Sequence, residues 1–438
     1  MGLLKNIVRT DKRCLYKFIV NMGIKGSMAF ARFQKRQKKG EFFPAFNFIS
    51  VTDDCNLHCQ GCWVVGKENN ARLKPEQLNR IVEETKKAGS YFFGILGGEP
   101  LLYKPLPELF QKHSDCYFQL FTNGTLLTPE VAETLRQCAN VTPLISFEGD
   151  EQVADVRRGG KDVFQSANVG IDNCVNAGLI TGVAISVCKS NLEMAMSPKF
   201  IQSLIDKGVA YLWYYIYRPV GPRPNYELAL SSDEIRQLRQ HMVDARMEYS
   251  IAIIDTYWDA DGNGMCPAAE GLSHHINASG YVEPCPIIQF AADHVDDKPL
   301  DRLYAESGFL SDFRNSIQQK TKGCVVMEDP RWLAEFVQKH DAKNTSGRKG
   351  ELERLRMAPE TNSHGSCEVI PEKSRIYRFA KRRAFFGLGA YGQTIIRAKA
   401  QCFYVLLFRH INVTAKDNVL INSLAYPWPF GFSQRILK

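Results

Sequence analysis

The chain has 438 residues, 45% of them hydrophobic and 23% charged, with 13 cysteines and a formal net charge of +8. That length points to one large domain with smaller additions, and the composition is ordinary for a soluble globular protein. No stretch reaches the ~18–20 uninterrupted apolar residues of a membrane-spanning helix, which excludes that class.

The charge is uneven. Residues 1–40 carry eleven Lys and Arg against Asp11 alone, residues 375–438 carry eleven against Asp417, and the segment between them is near −12. The opening MGLLKNIVRTDKR has no apolar core with a cleavage site, so the cysteines are expected as metal ligands in a reducing cytosol rather than as disulfides.

In chain order, residues 1–40 read as a basic amphipathic helix broken near Gly23 and Gly26. From about 45, short apolar runs alternate with longer amphipathic ones. NFISVTD, YFFGILGGEP, CYFQLFTNG, VTPLISFEG, ITGVAISVCKSN and AYLWYYIYRPVG read as six strands. Helices are expected over KPEQLNRIVEETKKAG, with Pro75 near its start, and over 105–113, 128–139, 163–177 and 195–207. Such alternation predicts parallel strands with right-handed crossovers, an α/β partial barrel of the (β/α)6 type, with chemistry at the carboxyl ends of the strands. After about 256 the alternation gives way to a Cys-, Pro- and Gly-rich loop and hairpin. Residues 341–371 read as a polar linker or mobile loop, and 372–438 as a basic aromatic tail. The expected parts are therefore 1–44, 45–255, 256–340, 341–371 and 372–438.

The first strand runs into Cys55, Cys59 and Cys62. Soft thiolates at this spacing select zinc or an iron–sulfur cluster. Zinc needs a fourth ligand, for which His58 is available. Alternatively the three thiolates hold three irons of a [4Fe–4S] cluster and leave one iron open. The second strand ends in Gly97, Gly98, Glu99 and Pro100, where two glycines let backbone approach a ligand closely. Together, the Cys-x3-Cys-x2-Cys loop and GGEP resemble the radical S-adenosylmethionine (radical SAM) superfamily.

That resemblance implies that Cys55, Cys59 and Cys62 bind a cluster whose fourth iron takes S-adenosylmethionine. Reductive cleavage then yields a 5′-deoxyadenosyl radical that abstracts a substrate hydrogen. By the same resemblance Trp63 lies near adenine, and Gly97, Gly98, Glu99 and Pro100 meet the methionyl amine. Ser146, Arg157 or Arg158, Ser186 and Asn191 fall where relatives contact the cofactor. Each also has a plainer role: core filling for Trp63, strand-end hydrogen bonding for the serines, and a turn for Asn123.

Further on, Cys266-x13-Gly280-x4-Cys285 resembles the start of a SPASM or twitch extension, which implies an auxiliary [4Fe–4S] cluster. Cys324 is a third ligand on this reading. The fourth is Cys367, a non-cysteine group or the substrate itself. The closely spaced cysteine run of a full SPASM domain is missing, so one auxiliary cluster is expected rather than two. His274 and His275 read as loop structure, and Cys116, Cys138 and Cys174 as buried thiols.

The expectation is thus a cytoplasmic radical SAM enzyme fed by a reductant such as ferredoxin or flavodoxin. Its substrate is a peptide or protein side chain, or a lipid or anionic small molecule. The basic ends are either a helical cap on the barrel or a peripheral contact with an anionic membrane at its inner face. Nucleic acid has only charge in its favour. The competing reading is a zinc-binding structural or interaction protein that uses the same cysteines.

Overall fold

The computed structural model describes residues 8–67, 70–149, 151–366 and 368–383. Seven strands in chain order form a parallel array: β1 Phe46–Ser50, β2 Phe92–Leu96, β3 Tyr117–Thr122, β4 Val141–Ser146, β5 Gly182–Val187, β6 Tyr211–Ile216 and β7 Ala252–Ile254. Each of β2–β6 lies within one of the six apolar runs, and β1 begins one residue before the first of them. Helices return between them where the sequence supplies starts. Pro75 opens Pro75–Lys87, Thr128 caps Pro129–Cys138 and Ser197 caps Pro198–Lys207. Ser231 and Glu234 form a capping box on Ser232–Glu248. The core between sheet and helices is apolar, with Phe93 stacked on Phe118 and Phe110 tilted against it.

The sheet does not stop at β1. Strand β8, Ser273–Ile276, pairs with β1 in parallel, Phe46 opposite Ser273 and Ile49 opposite Ile276. Strands β9, Tyr281–Glu283, and β11, Asp293–His294, follow antiparallel, so the Cys-rich hairpin is part of one ten-stranded sheet. His274 and His275 lie on β8 rather than in a loop. His275 joins Ser50 of β1 (2.8 Å) to Glu283 of β9 (2.6 Å). His274 stacks on Tyr304, and burial lowers its pKa to about 3.

The N-terminal segment is not broken at its glycines. Helix Lys12–Lys17, started by the Asp11 carboxylate, widens into a π-helical stretch over Phe18–Lys25 and narrows again into Gly26–Lys38. Its apolar side covers the amino ends of the strands, where Phe30 and Phe33 are 1% exposed among Phe46, Phe92 and Tyr117. Its cations cap carbonyl groups there. Arg36 and Arg32 bind Ala88 O (2.8 Å) and Gly89 O (3.1 Å) at the end of Pro75–Lys87, and Lys17 and Lys25 bind Ser114 O and Asp115 O.

Residues 341–366 are packed, not mobile, which corrects the expectation of a linker. Strand β12, Lys343–Asn344, pairs with β10, Phe290–Ala291, and a helix spans Glu351–Met357. At the far edge, helix Arg375–Arg383 closes on β7 through a buried ion cluster. Asp255, at the end of β7, and Glu372 face Arg239, Arg246 and Lys381, all within 3% of full burial. Burial alone would raise both carboxyls, but the three cations hold them below their usual range. The remainder of the expected tail lies outside the described residues. Among the described residues no helix is long and apolar enough to cross a membrane.

Candidate functional site

A cavity of about 720 Å³ runs along the sheet, and the three cysteines that follow β1 lie on its wall. Their loop is held from several sides. His58 N and Gln60 N donate to Arg158 O (3.2 Å) and Arg157 O (2.7 Å) at the end of helix Glu151–Arg158. That approach leaves no room for a side chain at Gly159, where a Cβ would lie 2.5 Å from His58 O. Gly221 is equally constrained, since its Cβ would lie 2.3 Å from Cys62 O. Arg348, from the strap beyond β12, donates to Trp63 O (2.8 Å) and Val65 O (3.2 Å), and its other nitrogens bind Gln289 and Glu351.

The GGEP turn divides its labour. Gly97 and Gly98 line the cavity and touch the cysteine loop, with Gly98 N bonded to Thr52 O (2.8 Å). A Cβ on Gly98 would sit 2.2 Å from Asp54 O. Glu99 instead turns inward. Its carboxyl accepts from Thr122 Oγ1 and Asn123 N, both at 2.8 Å, and from Leu101 N at 3.1 Å. Burial pushes its pKa up to about 7 against those donors. Glu99 and Pro100 therefore anchor the turn to β3 and are not among the cavity wall residues. Asn123 does more than turn the chain, because its amide donates to Asn56 Oδ1 (2.8 Å) inside the cysteine loop.

Trp63, Ser146, Arg157 and Ser186 all face the cavity. Asn191 stands behind them. Its amide reaches Glu148 Oε2 (3.0 Å) and Ser186 O (3.2 Å), and its Oδ1 accepts from Cys188 N. Glu148 is the hub that the sequence shows only as the acid of its Ser-x-acid-Gly run. At 1% exposure it takes Arg157 (2.5 Å) on one oxygen and Arg158 (2.6 Å) on the other. Cys188 is fully buried against Ser190 and away from the cavity wall.

Cys266, Cys285 and Cys324 line the same cavity. Cys266 precedes β8, Cys285 follows β9, and Cys324 is held by Ser363 Oγ on its backbone N–H (2.8 Å). Cys367 lies outside the described residues. Four of the six thiols share a device: after the cysteine the chain turns so that backbone N–H groups face the sulfur. Leu57 does so at Cys55, Val64 (3.4 Å) and Val65 at Cys62, Ala268 and Ala269 at Cys266, and Ile287 and Ile288 at Cys285. A guanidinium completes each set, Arg158 beside Cys59 and Arg218 beside Cys324. Burial pushes Cys55 up to about 12 and Cys266 to about 11. Amides and guanidinium groups aimed at sulfur suit thiolates, so the donors fit an iron–sulfur cluster at either place. Among the described residues, no three His, Cys, Asp or Glu side chains converge on a point for a single metal ion.

A model of the radical SAM superfamily matches residues 49–193. Over 283 residues the chain is 31% identical to mycofactocin maturase MftC of Mycolicibacterium smegmatis, which spans 61% of this chain and 69% of that protein. The chain belongs to the radical SAM superfamily. It is also 28% identical over 194 residues to the Fe-coproporphyrin III synthase of Methanosarcina barkeri. That match covers 43% of this chain and about half, 48%, of the relative. Among solved structures, Streptococcus suis SuiB bound to the precursor peptide SuiA shares the fold at a TM-score of 0.55 and 14% identity. The likeness covers 80% of this chain and 79% of SuiB. Radical SAM membership makes the protein an enzyme and implies a [4Fe–4S] cluster and S-adenosylmethionine.

Proposed function

We propose that Cys55, Cys59 and Cys62 of this radical SAM enzyme hold the cluster that binds S-adenosylmethionine, and that Cys266, Cys285 and Cys324 hold an auxiliary [4Fe–4S] cluster of the SPASM/twitch kind. The observation that carries this reading is that both thiol triads open on one chamber, with N–H groups and a guanidinium already turned to the sulfurs. When bound, the first cluster with S-adenosylmethionine supplies a 5′-deoxyadenosyl radical, which removes a hydrogen from the substrate. The chain's own residues position and shield. Gly97 and Gly98 let the turn close on the backbone of Thr52 to Asp54 at the cavity wall, and Ser146, Ser186 and Trp63 offer contacts on the opposite walls. Glu148 with Arg157 and Asn191 fixes the ends of β4 and β5. Phe48, Phe121, Trp213 and Tyr215 line the bore below and keep water from the reacting atoms.

The substrate we propose is a peptide or protein side chain that reaches between the two triads. The maturase MftC and the SuiB–SuiA complex support that class. The buried apolar face of the N-terminal helix favours the cap over the membrane contact for that segment. Ferredoxin or flavodoxin in a reducing cytosol would supply the electron.

Anaerobic reconstitution tests the assignment. The wild-type chain should hold about eight irons, in two [4Fe–4S] clusters. Replacing Cys55, Cys59 and Cys62 by alanine should leave about four and abolish formation of 5′-deoxyadenosine. Replacing Cys266, Cys285 and Cys324 should also leave about four but spare cleavage. Cleavage by the first variant, or zinc in place of iron, would overturn the proposal.

A further inference from the structure

Five Lys or Arg side chains reach the chamber wall: Arg157, Arg158, Arg218, Arg246 and Lys381. Four are answered by buried carboxylates. Glu148 meets Arg157 and Arg158, while Asp255 and Glu372 meet Arg246 and Lys381. Among the described residues no carboxylate pairs with Arg218. Its Nη1 donates to Tyr257 Oη (3.0 Å) and Ile216 O (3.4 Å), its plane lies 4.9 Å from the Tyr257 ring, and its Nε has no partner. The two guanidinium groups at the thiol triads are therefore unlike. Arg158, beside Cys59, has the Glu148 carboxylate 2.6 Å away and shares it with Arg157, whereas no carboxylate among the described residues answers Arg218, beside Cys324 and close to Cys266.

An uncompensated cation in a poorly screened pocket favours the more negative, reduced state of a neighbouring cluster. We propose that Arg218 is a positioning residue that raises the reduction potential of the auxiliary cluster. The inference rests on the two-cluster reading.

The test is a potentiometric titration of the reconstituted full chain followed by electron paramagnetic resonance. It uses wild type, Arg218→Gln and Tyr257→Glu, each with and without alanine at Cys55, Cys59 and Cys62, so that the auxiliary signal is isolated. In Arg218→Gln the ratio of reduced to oxidised auxiliary cluster at a fixed potential should fall about tenfold, which is about 59 mV for one electron. Tyr257→Glu keeps Arg218 but sets a carboxylate against it, and the same fall is expected. It decides the matter should Arg218→Gln release auxiliary iron. A ratio within twofold of wild type in a variant that retains its iron overturns the inference. A wild-type chain with only about four irons would instead defeat the two-cluster reading beneath it.

Discussion

Glu148→Gln is the sharpest probe of how the chamber is braced. Glu148 is 1% exposed and serves two guanidinium groups at 2.5 and 2.6 Å and the Asn191 amide at 3.0 Å. A glutamine keeps the shape but loses the charge. One of its ends becomes an NH2 group that must face another donor, so an arginine is left buried and unanswered. Breaking a buried pair in this way costs about 3–5 kcal/mol. With an unfolding entropy of about 2.1 cal/mol/K per residue, a 438-residue chain changes by about 0.9 kcal/mol for each degree. The melting temperature should therefore fall by about 3–5 °C in anaerobic calorimetry. Glu133→Gln is the control, because Glu133 pairs with Arg136 at the surface, 44% exposed, and should leave the melting temperature unmoved. If Glu148→Gln melts within about 1 °C of wild type, the hub does not hold the site together as described.

Acid should loosen the carboxyl-terminal helix first. Asp255 and Glu372 are held below their usual range, so the stability they contribute is complete above the unfolded-state values near 4 and is lost as the pH falls below them. Hydrogen exchange of 375–383 in the cluster-free chain should speed up at pH 3 relative to pH 6, and less so in Asp255→Asn; equal protection at both pH values would contradict this. Arg348→Ala removes the donors to Trp63 O and Val65 O and should raise exchange at 62–66 severalfold, with Arg348→Lys restoring little, since an ammonium lacks the planar fork. Phe33→Ala should cost about 3–5 kcal/mol by urea unfolding; a loss below about 1 kcal/mol would show that the helix is not a cap on the sheet.

Local signals in the sequence carry much of this fold. The six strands announce themselves because parallel strands buried on both faces are continuous apolar runs, and Pro75, Pro129 and Pro198 mark helix starts with little competition. Cys55, Cys59 and Cys62 stood out because their spacing is local, whereas Cys266, Cys285 and Cys324 are far apart in sequence and were grouped by resemblance. What stayed hidden depends on partners far apart in sequence. Arg348 looked like linker polarity, yet its targets lie about 285 residues earlier. Glu99 looked like a ligand contact, but a carboxyl at a turn can face either way, and here three donors on β3 and the turn draw it inward. The basic helix 8–40 looked ready for a charged surface because its carbonyl partners at Ala88, Gly89 and Ser114 cannot be read from composition. Gly159 and Gly221 were not singled out in the sequence, although each marks a place where another backbone comes close.

The pairing of β1 with β8 has a consequence for what the enzyme can evolve to handle. One strand leads into the first set of thiols, and its hydrogen-bonded neighbour is flanked by two members of the second. The span between the two sets is thus written in strand register, Phe46 to Ser273 and Ile49 to Ile276, and not in a hinge. A slip of one residue would shift the second set by about 3.3 Å and turn His274 and His275 to opposite faces, a change too large to tolerate in small steps. New substrates would have to be accommodated by recutting the walls of the chamber, while its gauge stays constant.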